Sequence, residues 1–217
     1  MDQTYNHLKV MNNALAHIAG GQIMAEDEDT ELAEKVVPVY YSRLRAVFGM
    51  HEWSFAGKTY KLDAIAPTAE NDYDATARRF NNGWHYAFAL PGSRIGDPRK
   101  VLRDPRNHRD PLREFLIESG WLYADRDQAW AVVTVLADPI TWSPLFALGI
   151  ERITAADICV PVTHDAKLAE AIRTIAEGSQ QEQGRGGLIG RAMATDAAKA
   201  RTPTALARDP LTDARFM

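Results

Sequence analysis

Residues able to do chemistry are spread along this chain, and spacing decides which of them count. Gly184, Gly186, Gly187 and Gly190 have the density of a phosphate-binding loop, but Ile189 interrupts them and no Lys-Ser or Lys-Thr pair follows. A helical pattern precedes them instead of a strand, so a dinucleotide fingerprint fails on context and a flexible linker is expected. The acidic run of Glu26, Asp27, Glu28, Asp29, Glu31 and Glu34 would make a calcium loop only with glycine at its sixth position, where Leu32 stands. It reads as a solvated face near a helix start. His7, His17, His51, His85, His108 and His164 include no pair four apart around a glutamate, so no metal site is expected. In Gly92-Ser93-Arg94-Ile95-Gly96 the serine is misplaced for a nucleophile elbow. Cys159 lies on an apolar helix face and reads as a small core residue. A carboxylate pair for glycoside hydrolysis stays open, because that chemistry depends on a separation in space that sequence does not fix. The expectation is therefore no catalytic residue, no cofactor and no metal.

One local pattern does carry a charge signal. From Arg78 to Arg113 the chain holds nine Lys or Arg against three Asp, a net of +6, whereas residues 1–36 net −5. Asp97-Pro98-Arg99 recurs as Asp104-Pro105-Arg106, and Asp110-Pro111 follows. Each Asp-Pro favours a turn that exposes an arginine. Arg94, Arg99, Lys100, Arg103, Arg106 and Arg109 are thus the candidates to face DNA or an acidic partner. The competing reading is a solvated loop whose arginines pair with their own aspartates.

The elements that must hold these residues follow from periodicity. Leu8, Met11, Leu15 and Ile18 give a helix over 4–20 that Gly20-Gly21 stop. Leu32, Val36, Tyr40, Leu44 and Val47 give a second over 30–49, with Asp29 or Thr30 as cap and Pro38 implying a kink or a start nearer Val37. Residues 84–90 read as a strand. A meander follows, with strands at 115–117, 121–124 and 130–136. Two long polar stretches, 63–83 and 91–112, read as loops within this β-rich insertion of about 57–137. Ser143 and Pro144 open a helix over 144–160 that Pro161 ends, and Thr163 caps another over 163–177. Residues 178–217 hold five of the 14 glycines before position 191 and few large aliphatics after it. They read as an extension ordered mainly by a partner, beyond a domain of residues 1–177; within it 191–201 can form a helix, which Pro203 and Pro210 limit. Helices, then clustered strands, then helices favour an α+β fold over a parallel sheet.

The bulk numbers narrow the class further. The 217 residues are 46% hydrophobic and 25% charged, enough apolar content for a packed core, and the net charge of −4 argues against a chain basic overall. A single cysteine removes any internal disulfide framework. Residues 1–20 lack the pattern of a signal peptide, and no apolar stretch approaches the ~20 residues of a spanning helix, so a soluble protein made in a reducing cytoplasm is expected.

The order of short segments resembles the tail tubular protein A family, the head-to-tail adaptors of short-tailed phages. The segments are Asn13-Ala14-Leu15, the acidic stretch with the second helix, and Trp53-Ser54-Phe55-Ala56. Further on come Tyr86-Ala87-Phe88-Ala89-Leu90-Pro91, Gly120-Trp121-Leu122-Tyr123-Ala124 and Asp138-Pro139-Ile140-Thr141-Trp142-Ser143-Pro144-Leu145-Phe146, and finally Pro161-Val162-Thr163. They run through nearly the whole chain. The chain departs from the family at Ser93, where an acidic residue is usual, and in its more basic, proline-rich stretch. The resemblance implies a mainly α, α+β subunit, a helical-bundle body with an inserted antiparallel β-rich projection and an extended C-terminal arm. It implies a structural virion protein without a cofactor, found in the neck of the particle. About twelve copies would form a ring below the portal protein and above the tail tube or nozzle, surrounding the DNA exit path with at most non-specific DNA contact and no membrane. The arm would dock on the portal through Arg185, Arg191, Lys199, Arg201 and Leu206. Two other classes stay open, a peptidoglycan-degrading enzyme and a nucleic-acid-binding module using residues 94–113.

Overall fold

The first helix, α1 (His7–Ala16), starts where Asn6 caps it. In the computed structural model, which describes residues 5–108, 110–182 and 185–200, the Asn6 side-chain oxygen accepts the Lys9 amide at 2.9 Å. Helix α2 (Glu31–Met50) opens on Thr30, whose hydroxyl accepts the Ala33 amide at 3.3 Å, and carries Glu31 and Glu34 at its positive end. It runs through Pro38, so the later start near Val37 is not adopted; proline only removes one amide donor from the ladder. The chain divides into two units inside this helix, one of Met1–Arg43 with Asp138–Met217 and one of Leu44–Ala137.

In the first unit, α3 (Pro144–Thr163) is the central element, because it is apolar nearly all round and packs against α1 and two later helices. Ser143 caps it by accepting the Phe146 amide at 3.3 Å, and Pro144 fills its first turn. Pro161 lies within the last turn instead of ending the helix, and His164 terminates it in the left-handed region. Asp165, not Thr163, then caps α4 (Ala166–Glu177) by accepting the Leu168 amide at 2.9 Å. Helix α5 (Gly187–Ala200) packs on both α3 and α4, with Ile189 and Ala192 fully buried. The sequence leaves a helix open for 191–201, but it starts at Gly187 and packs on the domain, so the extended arm is incorrect for residues 187–200. Ile189 sits so close to α3 that a Cβ on Gly149 would lie 2.6 Å from its Cδ1.

The second unit corrects the expected fold class. It is not a β projection on a helical bundle but a substantial set of three antiparallel sheets, which makes the chain α+β without bundle dominance. Strands β1 (Gly57–Lys61), β9 (Trp130–Val135) and β6 (Arg94–Leu102) form one sheet in the order β1-β9-β6. A second has the order β2-β5-β8-β7, from β2 (Asp63–Ala64), β5 (Tyr86–Ala89), β8 (Trp121–Ala124) and β7 (Leu116–Glu118). The third pairs β3 (Tyr73–Asp74) with β4 (Arg79–Phe80). The expected meander is thus broken, since β7 and β8 pair but β9 leaves for another sheet. Both stretches expected as loops contain strands. The longest, β6, was hidden by Gly96, Asp97 and Pro98, which occupy a register shift between Ile95 and Lys100. Gly96 takes φ +70° there, and Pro98 escapes the ladder that would need its missing amide. The core between the strands holds Leu62, Phe88, Val101, Leu122, Ala131 and Val133.

Candidate functional site

The basic stretch is not one loop, and the fold sorts its cations by depth. Arg94 is half-buried at the start of β6, its guanidinium donating to the Pro91 carbonyl at 3.4 Å. Arg99 turns inward. Its Nε donates to Thr134 Oγ1 at 2.8 Å and its Nη2 to the Trp53 carbonyl at 2.9 Å, linking β6, β9 and the segment before β1. Gly57 makes room for it, since a Cβ at that position would meet Arg99 Nη1 at 3.0 Å. Lys100 is exposed on β6. Arg103 and Arg106 are exposed beyond it, and neither forms an ion pair among the described residues. Arg109 lies outside the described residues.

The two Asp-Pro-Arg repeats therefore differ. The first is a strand irregularity, while the second is a turn in which Asp104 Oδ1 accepts the Arg106 amide at 2.9 Å and the Asp104 carbonyl accepts the Asn107 amide at 3.1 Å. Asp104 thus holds backbone, leaving the guanidinium of Arg106 to solvent. Of the residues named for portal docking, Arg185 precedes α5, and Arg191 and Lys199 are exposed along it. Arg201 and Leu206 lie outside the described residues.

Sequence reasoning missed a polar cluster in the helical unit. Glu151, 8% exposed on α3, accepts the Tyr5 hydroxyl at 2.8 Å and the Asn13 amide at 2.7 Å, with His17 Nε2 3.8 Å from its other oxygen. Burial, reinforced by the Glu151 carboxylate, raises the Tyr5 phenol above its ordinary range. His17 is held below its usual value by burial and by Arg152, against the pull of Glu151. His7 is lowered too, chiefly by burial against opposing Glu26 and Asp138, and its Nδ1 lies 2.7 Å from Tyr40 Oη. Asn13 thus fastens α1 to α3, and only its place on the inner face of α1 could have signalled this.

Cys159 is buried, with its Sγ donating to the Asp165 carbonyl at 3.3 Å, and so serves the α3–α4 connection. His85 is exposed and pairs with Asp125 at 2.6 Å. Among the described residues no three His, Cys, Asp or Glu side chains converge as a metal site, and no helix is long and apolar enough to cross a membrane. No protein-family model matches the sequence, and comparison with the curated proteins gives no match either.

Proposed function

We propose that the chain is a head-to-tail adaptor of a short-tailed phage, a structural subunit that assembles as a ring of about twelve copies beneath the portal and around the DNA exit path. The observation carrying this reading is that the segments of resemblance occupy positions on which this fold depends. Asn13 ties α1 to α3 through Glu151. Trp53 is fully buried, with its indole N–H donating to the Val47 carbonyl at 3.0 Å. Tyr86–Ala89 and Trp121–Ala124 pair with each other as the two inner strands of their sheet. Asp138 caps the turn before α3 by accepting the Ile140 amide at 3.0 Å, and Ser143 caps α3 itself.

Residues that set caps, strand pairing and burial fix a shape, and shape is what a ring subunit supplies. Docking to the portal would then use the exposed cations of α5, Arg191 and Lys199, together with residues 201–217. Electron microscopy of the purified protein mixed with its portal tests the reading. A ring of subunits stacked on the portal is the expected image, and two populations that never associate would overturn it.

A further inference from the structure

The β unit has an open cleft of about 520 Å³ that the adaptor reading does not use. Phe80, Trp121 and Tyr123 supply its aromatic surface, and Asp72, Glu118 and Asn82 stand among its polar groups. Tyr123 is only 7% exposed, yet it lines the cleft and no group among the described residues hydrogen-bonds its hydroxyl. Burial and the charges of Glu118 and Asp72 raise this phenol, so both carboxylates act on the same space. Among the described residues the lining contains no lysine or arginine. Such a wall repels anions, whereas carboxylates beside aromatic rings attract a guanidinium, through charge-assisted hydrogen bonds and through the ring faces.

A complementary feature lies elsewhere on the same unit. Arg103 and Arg106 are exposed on a turn stiffened by Pro105 and closed by the hydrogen bonds of Asp104. A turn already ordered loses little entropy on docking, which favours it over cations on flexible ground.

We propose that the cleft of Asp72, Glu118, Trp121 and Tyr123 receives the Arg103–Arg106 turn of a second copy of this chain. Donor and acceptor are different surfaces, so the contact is head-to-tail, and repetition of it builds a ring when the rotation closes. This supplies a subunit contact for the proposed adaptor ring and rests on that reading for its setting.

The test is an NMR titration of the full chain with a synthetic peptide of residues 101–107. At millimolar peptide, the indole signal of Trp121 and the side-chain amides of Asn81 and Asn82 shift, and salt weakens the effect. Asp72→Asn and Glu118→Gln each lower the affinity about tenfold, and a peptide with both arginines replaced by glutamine is silent. The same spectra show that the variants remain folded. With the portal present, Arg106→Glu and Glu118→Arg each reduce ring yield, and combining both in one chain restores it. Absence of shifts at millimolar peptide, shifts produced instead by a neutral oligosaccharide, or full ring yield from Arg106→Glu would each overturn the contact. Rings on the portal without peptide binding would sink this contact and leave the adaptor reading standing. Peptide binding without rings on the portal would do the reverse.

Discussion

Replacing Asp157 tests how the helical unit is held together. Its carboxylate lies on α3 and receives Arg43 from α2 in bidentate fashion, Nε to Oδ2 at 2.5 Å and Nη2 to Oδ1 at 2.9 Å, while Arg173 from α4 reaches Oδ1 at 2.9 Å. The side chain of Asp157 is 13% exposed, that of Arg43 30% and that of Arg173 43%. Losing one partner of a fully buried pair costs about 3–5 kcal/mol, and of an exposed pair about 0–1. The Arg43 contact falls between these limits, near the buried one. The Arg173 contact belongs with exposed pairs because solvent screens it. Glu177 stays 3.4 Å from Arg43 and offsets part of the loss. Asp157→Asn keeps the volume and removes the charge, so the expected loss is about 2–3 kcal/mol, or roughly 4–12 °C in melting temperature for a chain of this size. Urea unfolding followed by circular dichroism gives the number, with a lower midpoint and an unchanged slope. Glu31→Gln is the control: Glu31 is 81% exposed, its pair with Lys35 and its place at the helix start are worth at most about 1 kcal/mol, and its midpoint is expected to move far less. Equal midpoints for Asp157→Asn and the control would refute the view that this network bears on stability.

Other substitutions separate the roles argued above. Gly149→Val drives a side chain into Ile189 and is expected to destabilise by about 1–3 kcal/mol in the same urea assay. Removing residues 178–217 takes away the buried Ile189 and Ala192, so that chain should unfold at markedly lower urea. On the adaptor reading, removing only 201–217 leaves α5 in place and should weaken capture by immobilised portal. Arg99→Ala breaks the bonds to Thr134 and the Trp53 carbonyl and should cost about 1–3 kcal/mol, whereas Arg106→Ala should leave stability unchanged. His7 and His17 have folded pKa values below their ordinary 6.5, so the unfolded chain binds the extra protons. Stability should hold above about pH 7 and fall as pH drops through 6.5 toward the folded values, and His7→Gln with His17→Gln should flatten that slope.

How much of this could be read in advance depended on whether local rules governed. The helices were legible because their caps and apolar stripes are local features: Thr30, Ser143 and the spacing of Val36, Tyr40, Leu44 and Val47 act within one or two turns. Strand β6 was not legible, because its glycine and proline are tolerated only at an irregularity in pairing with β9, which lies far along the chain. The same holds for Arg99. Its type and its turn-like neighbours predict exposure, and only β9 and the Trp53 carbonyl turn it inward. Helix α5 was legible in part, as a helix open over 191–201. Its earlier start and its docking were not, because its glycines look like a linker, and only Gly149 on α3 lets Ile189 sit close and become buried.

These contrasts bear on where partner recognition resides. Several segments of resemblance lie at caps, inner strands and buried rings, so they specify the scaffold and are silent on whatever docks to it. The exposed charges are distributed otherwise. Arg103 and Arg106 stand on a turn whose own backbone bonds hold it without help from the core, and Asp72 and Glu118 stand on the rim of an aromatic cluster. Changes at such positions alter contacts at little cost to folding, because these four side chains are exposed. A chain built this way can keep its shape while its contacts change. The charge stretch that distinguishes this sequence from the pattern it resembles is therefore where the contact proposed between copies can vary while the scaffold is kept.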